Sequence, residues 1–208
     1  MRLSGLIAGL GNPGREYETT RHNAGFMVID QLLEHAGPLA SQLSAGPASR
    51  NSCLLWRCFL VPGAPAWILL KPQTFMNASG DAVRLVMSWF SIEPGSLLAI
   101  HDEMDLPLGA LRFKTGGGDA GHKGLKSITR CLGTPDYHRL RLGIGRPEHP
   151  DAVDWVLGRF APAERDAFGQ TIDAARDCAL AYAGHGPEAA RSSAGAFALA
   201  QKKGTDII

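Results

Sequence analysis

The chain has 208 residues, of which 45% are hydrophobic and 20% are charged, which suits one globular domain with a sizeable core, leaves two small domains as an alternative and disfavours a disordered protein. No apolar run approaches the length of a membrane span, which excludes an integral membrane protein of the helical class. The net charge of +1 does not by itself indicate a nucleic-acid-binding protein, so any site for a polyanion must come from uneven placement of charge.

Short apolar runs and helical spacings alternate along the chain. In chain order, they predict a strand at 6–10, a helix from 24 to a stop at Gly37-Pro38, a mobile connection over 38–51, a hairpin of strands at 52–61 and 66–71, a helix at 76–90, strands at 97–100 and 111–114, a helix at 122–131, a strand at 137–144 and helices over 151–201. This alternation predicts an α/β fold: a single domain over 1–201 with a mixed, largely parallel twisted sheet, covered by helices on both faces and ending in a helical C-terminal segment. Residues 202–208 are expected to form a flexible tail.

The cysteines and the first residues indicate a cytoplasmic protein. Cys53, Cys58, Cys131 and Cys178 form no CxxC pair and have no zinc-binding spacing to histidine, which is typical of free thiols in a reducing compartment. The apolar start at 3–10 is interrupted by glycines and is followed by no small-residue cleavage site. It therefore predicts a strand rather than a signal peptide.

The first motif is Gly9-Leu-Gly11-Asn12-Pro13-Gly14, which has the GxGxxG spacing of dinucleotide-binding proteins. That fingerprint requires a helix to begin at the third glycine, whereas Pro13 and a polar stretch up to Arg21 intervene here. We therefore expect no dinucleotide cofactor. A tight loop that projects Asn12 into a cleft, with glycines that let a ligand approach the backbone, fits the pattern better.

Two candidate catalytic groups come from distant parts of the chain. His22 lies in the segment Thr20-Arg21-His22-Asn23, just before the first predicted helix, where it could also be an ordinary surface histidine. Asp102 follows an apolar strand, at the edge where open α/β sheets place their ligand crevices, although capping and turn formation are alternatives. A metal site at this strand end is disfavoured, because His101 and Glu103 would point to the face opposite Asp102.

A polar segment at residues 73–77 precedes the second predicted helix. Its Asn77 could position a substrate or could simply cap the helix. The neighbouring Phe75 and Met76 are residue types found more often in a core than on a substrate platform, so both interpretations stay open.

A glycine-rich stretch at residues 115–124 contains His122 and Lys123. It could hold a phosphate, but it lacks the Walker spacing, and a flexible loop without a ligand is the alternative. Charge is also concentrated here, because the segment from Ala110 to Arg146 holds eight basic residues against two aspartates. Either a solvated helix face or a phosphate-binding patch would account for this concentration. The basic residues are Arg112, Lys114, Lys123, Lys126, Arg130, Arg139, Arg141 and Arg146.

These segments, in this order, resemble the bacterial peptidyl-tRNA hydrolase family. The strings that carry the resemblance run from residue 6 to about residue 160: GLGNPG, TRHNAG, KPQTFMNASG, HDEMDLPLG, GGGDAGHKGLKSI and RLRLGIGRP. Any one string is weak, whereas all of them in register are specific. Beyond residue 160 the similarity consists only of helical composition.

The resemblance implies a monomeric cytoplasmic enzyme that uses no metal and no cofactor, binds no membrane and needs no protein partner. Its reaction would be hydrolysis of the ester that joins a peptide to the 3′-terminal ribose of tRNA, which recycles tRNA from aborted translation. The resemblance also implies roles for individual residues. These are His22 as catalytic base, Asp102 as its support, Asn12 and Asn77 as substrate-positioning residues, Tyr17 in the lining of the cleft, and Lys114 and Arg141 as a clamp on the tRNA 5′-phosphate. We also expect Phe75, Met76 and Lys123 to position the substrate.

The chain departs from the family pattern in the glycine-rich stretch, where Lys123 stands in place of the usual asparagine and Asp119 and Ala120 replace the usual neighbours. The substitution removes an amide that can both donate and accept hydrogen bonds. Three other functions compete with this interpretation: an RNA-binding protein of the same fold without catalysis, a dinucleotide-dependent enzyme and a metal-dependent hydrolase.

Overall fold

A computed structural model describes residues 3–50, 52–147 and 151–205 as one α/β unit. Its strands are β1 (Leu3–Gly9), β2 (Ala40–Leu43), β3 (Cys53–Cys58), β4 (Ala66–Pro72), β5 (Leu97–Glu103), β6 (Leu111–Thr115) and β7 (His138–Gly143). Its α-helices are α1 (Ala24–Ala36), α2 (Ser79–Phe90), α3 (Lys123–Leu132), α4 (Ala152–Leu157), α5 (Pro162–His185) and α6 (Pro187–Thr205). None of these helices combines the length and the hydropathy needed to cross a bilayer.

The strands form a seven-stranded sheet in the order β2-β3-β4-β1-β5-β7-β6. The central strands β4, β1, β5 and β7 are parallel to one another. On one side β3 pairs with β4 and β2 with β3, and on the other side β6 pairs with β7, all in antiparallel fashion. The predicted mixed sheet is therefore confirmed, with its parallel part at the centre. Parallel strands need helical crossovers, which explains why helices cover this part of the sheet.

Helices pack on both faces of the sheet. Alternate residues of β1 illustrate this, because Ile7 belongs to the apolar cluster beneath α1, α5 and α6, while Leu6 and Ala8 belong to the cluster beneath α2 and α3. All three side chains are fully buried. A strand covered on both sides is apolar along most of its length, which is why residues 6–9 of β1 and 97–100 of β5 are continuous apolar runs.

The sequence missed one strand and ended one helix too early. Residues 38–51 were expected to be a mobile connection, yet β2 lies within them and pairs with β3. Its central residues Ser41 and Gln42 are exposed, so the strand has no apolar alternation to detect. Helix α6 continues to Thr205, into the predicted tail over 202–208, and the last three residues lie outside the described part of the chain.

The glycines of the first motif serve helix packing. A Cβ atom on Gly9 would lie 2.3 Å from the carbonyl oxygen of Gly25, and one on Gly25 would lie 2.3 Å from the backbone nitrogen of Leu10. Gly11 would meet the ring of Phe26 at 2.8 Å. The expectation that glycines here admit a ligand to the backbone is therefore corrected: they let α1 approach the end of β1 closely.

Neighbouring parallel strands bring three polar segments to the same edge of the sheet. Asn12 follows β1, Met76 and Asn77 follow β4, and Asp102 lies near the end of β5, which continues three residues beyond its predicted end. The carboxyl ends of parallel strands meet at one edge, where α/β proteins form ligand crevices. A functional site is therefore expected at this edge.

Candidate active site

A cavity of about 450 Å³ opens at this edge of the sheet. It collects most of the site residues predicted from the sequence, namely His22, Asp102, Asn12, Phe75, Met76, Asn77 and Lys123. Apolar side chains of α4 (Val153, Val156 and Leu157) form another part of its wall. Tyr17 is not among the lining residues, and its backbone carbonyl instead accepts hydrogen bonds from Thr20.

His22 occupies a short 3-10 turn, Arg21–Asn23, that leads into α1. Its Nδ1 lies 2.9 Å from Oδ1 of Asp102, and both side chains are buried. A carboxylate only accepts hydrogen bonds, so Nδ1 carries the proton and donates it to Asp102. In the neutral ring the other nitrogen, Nε2, is the acceptor, and it is the atom that His22 can offer to the cavity as a base.

A second histidine shares the same carboxylate oxygen. His122 places Nε2 at 3.1 Å from Oδ1 of Asp102, and its ring centroid is 5.1 Å from that of His22. Its Nδ1 accepts hydrogen bonds from the backbone nitrogens of Gly124 and Leu125 and thereby caps α3. These two bonds require an unprotonated Nδ1, so Nε2 carries the proton and donates it to Asp102.

Asp102 is therefore held as a carboxylate. Burial alone would raise its pKa, but the electrostatic attraction and the hydrogen bonds that His22 and His122 direct at the carboxylate outweigh burial and lower the pKa of Asp102 well below its ordinary value. A buried anion with two donors on one oxygen has a fixed orientation. It can also stabilise a positive charge that develops on either histidine.

His101 packs behind this pair. Its Nδ1 lies 2.6 Å from the backbone carbonyl oxygen of Asp102 and donates to it, and its ring lies edge-on to that of His122 at 4.8 Å between centroids. Burial lowers the pKa of His101, and His122 and Arg139 lower it further, while Asp102 opposes them. His101 is thus a neutral residue that supports the site from inside the sheet.

Two asparagines form an interlocked pair beside His22. The backbone nitrogen of Asn12 donates to Oδ1 of Asn23 at 2.9 Å, and Nδ2 of Asn23 donates to the backbone carbonyl of Asn12 at 3.0 Å. Oδ1 of Asn12 accepts from the backbone nitrogen of Met76 at 2.8 Å. These bonds orient the Asn12 amide, so that its Nδ2 is the group left to donate to a ligand.

The segment after β4 contributes exposed groups to the cavity. Phe75 has 61% of its surface exposed, whereas Met76 has 4% and is anchored in the core. Asn77 is exposed, and the residue at the cap position of α2 is Ala78, so the alternative in which Asn77 caps this helix is wrong. Lys123 is an exposed residue at the first position of α3, on the rim of the same cavity.

The comparison with known proteins identifies the family. The family model described as peptidyl-tRNA hydrolase matches residues 6–202 of this chain. The chain belongs to the peptidyl-tRNA hydrolase family. It is 52% identical over 202 residues to the peptidyl-tRNA hydrolase of Nitratidesulfovibrio vulgaris (strain DP4), covering 95% of this chain and 99% of that protein. It is 46% identical over 191 residues to the peptidyl-tRNA hydrolase of Oleidesulfovibrio alaskensis, covering 91% of this chain and 95% of that protein.

A solved structure agrees with the fold. The crystal structure of peptidyl-tRNA hydrolase from Acinetobacter baumannii aligns with a TM-score of 0.82 at 35% identity, over 93% of this chain and 96% of that chain. The peptidyl-tRNA hydrolase family predicted from the sequence motifs, and the α/β fold expected with it, are therefore confirmed.

A basic cavity of about 280 Å³ adjoins the cleft of this peptidyl-tRNA hydrolase family member. Lys114 and Arg141 line it together with Glu103, which also lines the cleft. Nε and Nη2 of Arg141 each lie 3.0 Å from Oε2 of Glu103, so the carboxylate fixes the guanidinium in place. Among the described residues, no acidic side chain pairs with Lys114.

The basic segment predicted from the sequence divides into residues with different functions. Arg139 lines the same cavity but is 1% exposed and donates to the backbone carbonyls of Gly117 at 2.8 Å and Gly118 at 2.5 Å, so its guanidinium anchors the glycine-rich loop. Arg146 pairs with Asp105 on the surface. Counting charges along the sequence could not separate these cases, because burial depends on which part of the fold covers each side chain.

His122 lines the cleft of this member of the peptidyl-tRNA hydrolase family and was left without a role by the sequence. Its signal was weak, because a histidine among glycines before a helix is typical of many loops. Together with His22 and Asp102 it presents ligand atoms within 4.8 Å of one another, a spacing that could hold a metal ion. The two histidines instead donate directly to the carboxylate, and both nitrogens of His122 are already engaged. Direct hydrogen bonds satisfy this cluster without an ion.

Proposed function

We propose that this member of the peptidyl-tRNA hydrolase family cleaves the ester between a peptide and the 3′-terminal ribose of tRNA, with His22 as general base. The observation that carries the proposal is the bond from Nδ1 of His22 to Oδ1 of Asp102 at 2.9 Å, in the wall of the cleft. That bond orients the ring and leaves Nε2 as the nitrogen that can accept a proton from a water molecule attacking the ester.

The proposed reaction proceeds through a tetrahedral intermediate. Nε2 of His22 removes a proton from a water molecule as the water oxygen attacks the ester carbonyl carbon, and the imidazolium that forms is stabilised by Asp102. The intermediate then expels the 3′ oxygen of the ribose, which takes the proton from the imidazolium. The products are a free peptide and a tRNA with a 3′ hydroxyl group. His122 is proposed to hold the carboxylate in position throughout.

The remaining cleft residues are proposed to position the substrate. Nδ2 of Asn12 and the exposed amide of Asn77 suit the water molecule and the peptide backbone, because amides both donate and accept. Phe75 offers an exposed ring for stacking with the substrate. The backbone nitrogen of Met76 donates to Oδ1 of Asn12 and holds that amide in place. The ammonium group of Lys123, where the family usually has asparagine, suits the negative charge that develops on the carbonyl oxygen. A role for Tyr17 stays a prediction.

Lys114 and Arg141 are proposed to bind a phosphate of the tRNA. They lie on one face of the sheet, because β6 and β7 pair Lys114 with Arg139 and Arg112 with Arg141. Two cations beside the cleft would select a tRNA over a small ester without reading its sequence. Glu103 leaves Nη1 of Arg141 as the part of the guanidinium that is free of the ion pair and able to bind an oxyanion.

We expect Lys114→Ala to weaken tRNA binding and to flatten its dependence on salt by about one unit of slope, since each lost phosphate contact releases about one counterion fewer. Arg141→Ala should give a smaller change in slope, because Glu103 already neutralises much of its charge. Equilibrium binding of deacylated tRNA at several salt concentrations measures both. Arg84→Ala on the exposed face of α2 is the matched control. Cleavage of a minimal ester without the tRNA body should barely change, and equal losses on both substrates would contradict a phosphate clamp.

We also propose that the enzyme works in the cytoplasm as a monomer, without metal, cofactor or protein partner. One chain supplies His22, Asp102, His122 and the basic cavity, so no second copy is needed to complete the cleft. The test is turnover of peptidyl-tRNA by the purified chain with and without a chelator, together with its oligomeric state in solution. Undiminished turnover in chelator is expected. Loss of turnover in chelator would favour a metal-dependent hydrolase, and tRNA binding without turnover would favour a non-catalytic RNA-binding protein.

A further inference from the structure

Arg21, the neighbour of His22, joins the Arg21–Asn23 turn to the chain that follows α4. Only 5% of Arg21 is exposed. Its backbone nitrogen donates to the carbonyl oxygen of Gly158 at 3.0 Å, and its Nη1 donates to the carbonyl oxygen of Arg159 at 2.8 Å. Its Nη2 lies 2.7 Å from Oε2 of Glu164. The backbone and the side chain of Arg21 thus both hold the segment after α4 against the turn that carries His22.

The guanidinium of Arg21 also holds α4 itself. Its central carbon lies 3.8 Å from the centroid of the Trp155 ring. Val153 and Leu157 are one helical turn apart on the side of α4 opposite Trp155, and both line the cleft. With exposed fractions of 48% and 37%, they present an apolar wall to whatever enters. One side of this helix is therefore held by Arg21 and the other faces the substrate.

This arrangement is specific to arginine. Oε2 of Glu164 accepts from Nη2 of Arg21 and, at 2.7 Å, from the backbone nitrogen of Ala161, so it links Arg21 to the first turn of α5. A Cβ atom on Gly158 would lie 3.2 Å from Nη1 of Arg21, so a glycine gives the side chain room to pass. A lysine could pair with Glu164, but it could not also stack on Trp155 as a planar fork.

We propose that Arg21 is a positioning residue that holds the apolar wall of α4 at a fixed distance from His22, so that wall and base act together on the aminoacyl part of the substrate. The proposal rests on the proposed function of His22. The wall would receive the apolar side chain next to the ester and thereby set the carbonyl carbon against the attacking water. A displacement of about 1 Å at such a site reduces the rate by up to about 10²-fold, so the position of α4 matters to catalysis.

A double-mutant cycle tests the proposal, with kcat/KM for peptidyl-tRNA as the readout. Arg21→Lys and Leu157→Ala are each expected to lose about tenfold. The double variant should lose little more than either alone, since Arg21 acts through the wall that Leu157 forms. Losses that multiply to about 100-fold would overturn the proposal. The matched control is Arg191→Lys, which changes an exposed residue of α6 that pairs with Glu188. The double variant of Arg191→Lys and Leu157→Ala should lose no more activity than Leu157→Ala alone.

A second readout does not depend on activity. In Arg21→Lys, hydrogen exchange at the amides of α4 should become faster, while tRNA affinity and the pH at half-maximal rate stay as in the wild type, because the phosphate clamp and the base are intact. Unchanged exchange in α4, or a loss of tRNA affinity, would overturn the proposal. If Arg21→Lys does not fold, Glu164→Gln weakens the same link and takes its place. A wild-type chain without turnover would refute the proposed function, whereas the exchange experiment would still report on α4.

Discussion

His22→Ala is expected to lose roughly 10²–10⁴-fold in the rate of peptidyl-tRNA hydrolysis, the usual contribution of a general base. The variant should still fold, because Asp102 keeps its bond from His122 at 3.1 Å and is not left as an unpaired buried charge. It should also still bind tRNA, since Lys114 and Arg141 line a separate cavity. Single-turnover kinetics and the equilibrium binding of deacylated tRNA measure the two properties separately.

The control for this variant is His185→Ala, which removes an exposed histidine at the end of α5 and should leave the rate unchanged. Imidazole added to His22→Ala should restore part of the rate, because the missing ring leaves space for a small base in the wall of the cleft. Turnover near that of the wild type without added imidazole would refute the mechanism. A variant that loses rate and tRNA affinity together would indicate that His22 supports the structure and is not the base.

The sequence predicted those strands and helices whose residues share one environment, because that environment then determines the residue types. Strand β5 is buried on both faces, and its apolar start was recognised, although its last residues, including His101 and Glu103, are buried polar groups that hide the end of the strand. Strand β2 was missed for the opposite reason, since its central residues face solvent. The pattern of apolar residues therefore identifies a strand when its side chains are buried among apolar neighbours. It fails for the exposed strand at the edge of the sheet and for the polar strand end at the candidate active site.

The same limit applies to the site residues. His22, Asp102, Asn12 and Asn77 could be named because they belong to motifs, and the structure brings all four to the walls of one cavity. The role of His122 depends on the 20 residues that separate it from Asp102 and on the fold that closes this distance, which no spacing rule gives. Arg139 and Arg141 are two residues apart on one strand face, yet only Arg139 is fully covered by the loop it anchors. Burial of this kind is a property of tertiary structure.

Asp102→Asn is the second substitution with a large expected effect, a loss on the order of 10²-fold or more. An asparagine can place its oxygen where Oδ1 of Asp102 accepts from His22 and His122, so the geometry can survive while the negative charge is lost. The loss therefore reports the stabilisation that the charge gives to the imidazolium form of His22. Asp177→Asn, which removes an exposed carboxylate of α5 paired with Arg176, is the control and should have no effect on the rate.

The pH dependence of the rate of Asp102→Asn distinguishes the loss of the negative charge from a structural defect. Because its histidine partners hold the pKa of Asp102 well below its ordinary value, the carboxylate stays ionised between pH 5 and 8, and the rate of the wild type falls at low pH only as the base takes up a proton. The anion favours the protonated ring, so removing it should move the midpoint of the pH–rate curve to lower pH. Asp102→Asn should then retain a larger fraction of its own maximal rate at pH 5.5 than the wild type does. A midpoint that stays in place or moves to higher pH, measured under single-turnover conditions, would show that Asp102 does not act on His22 through its charge.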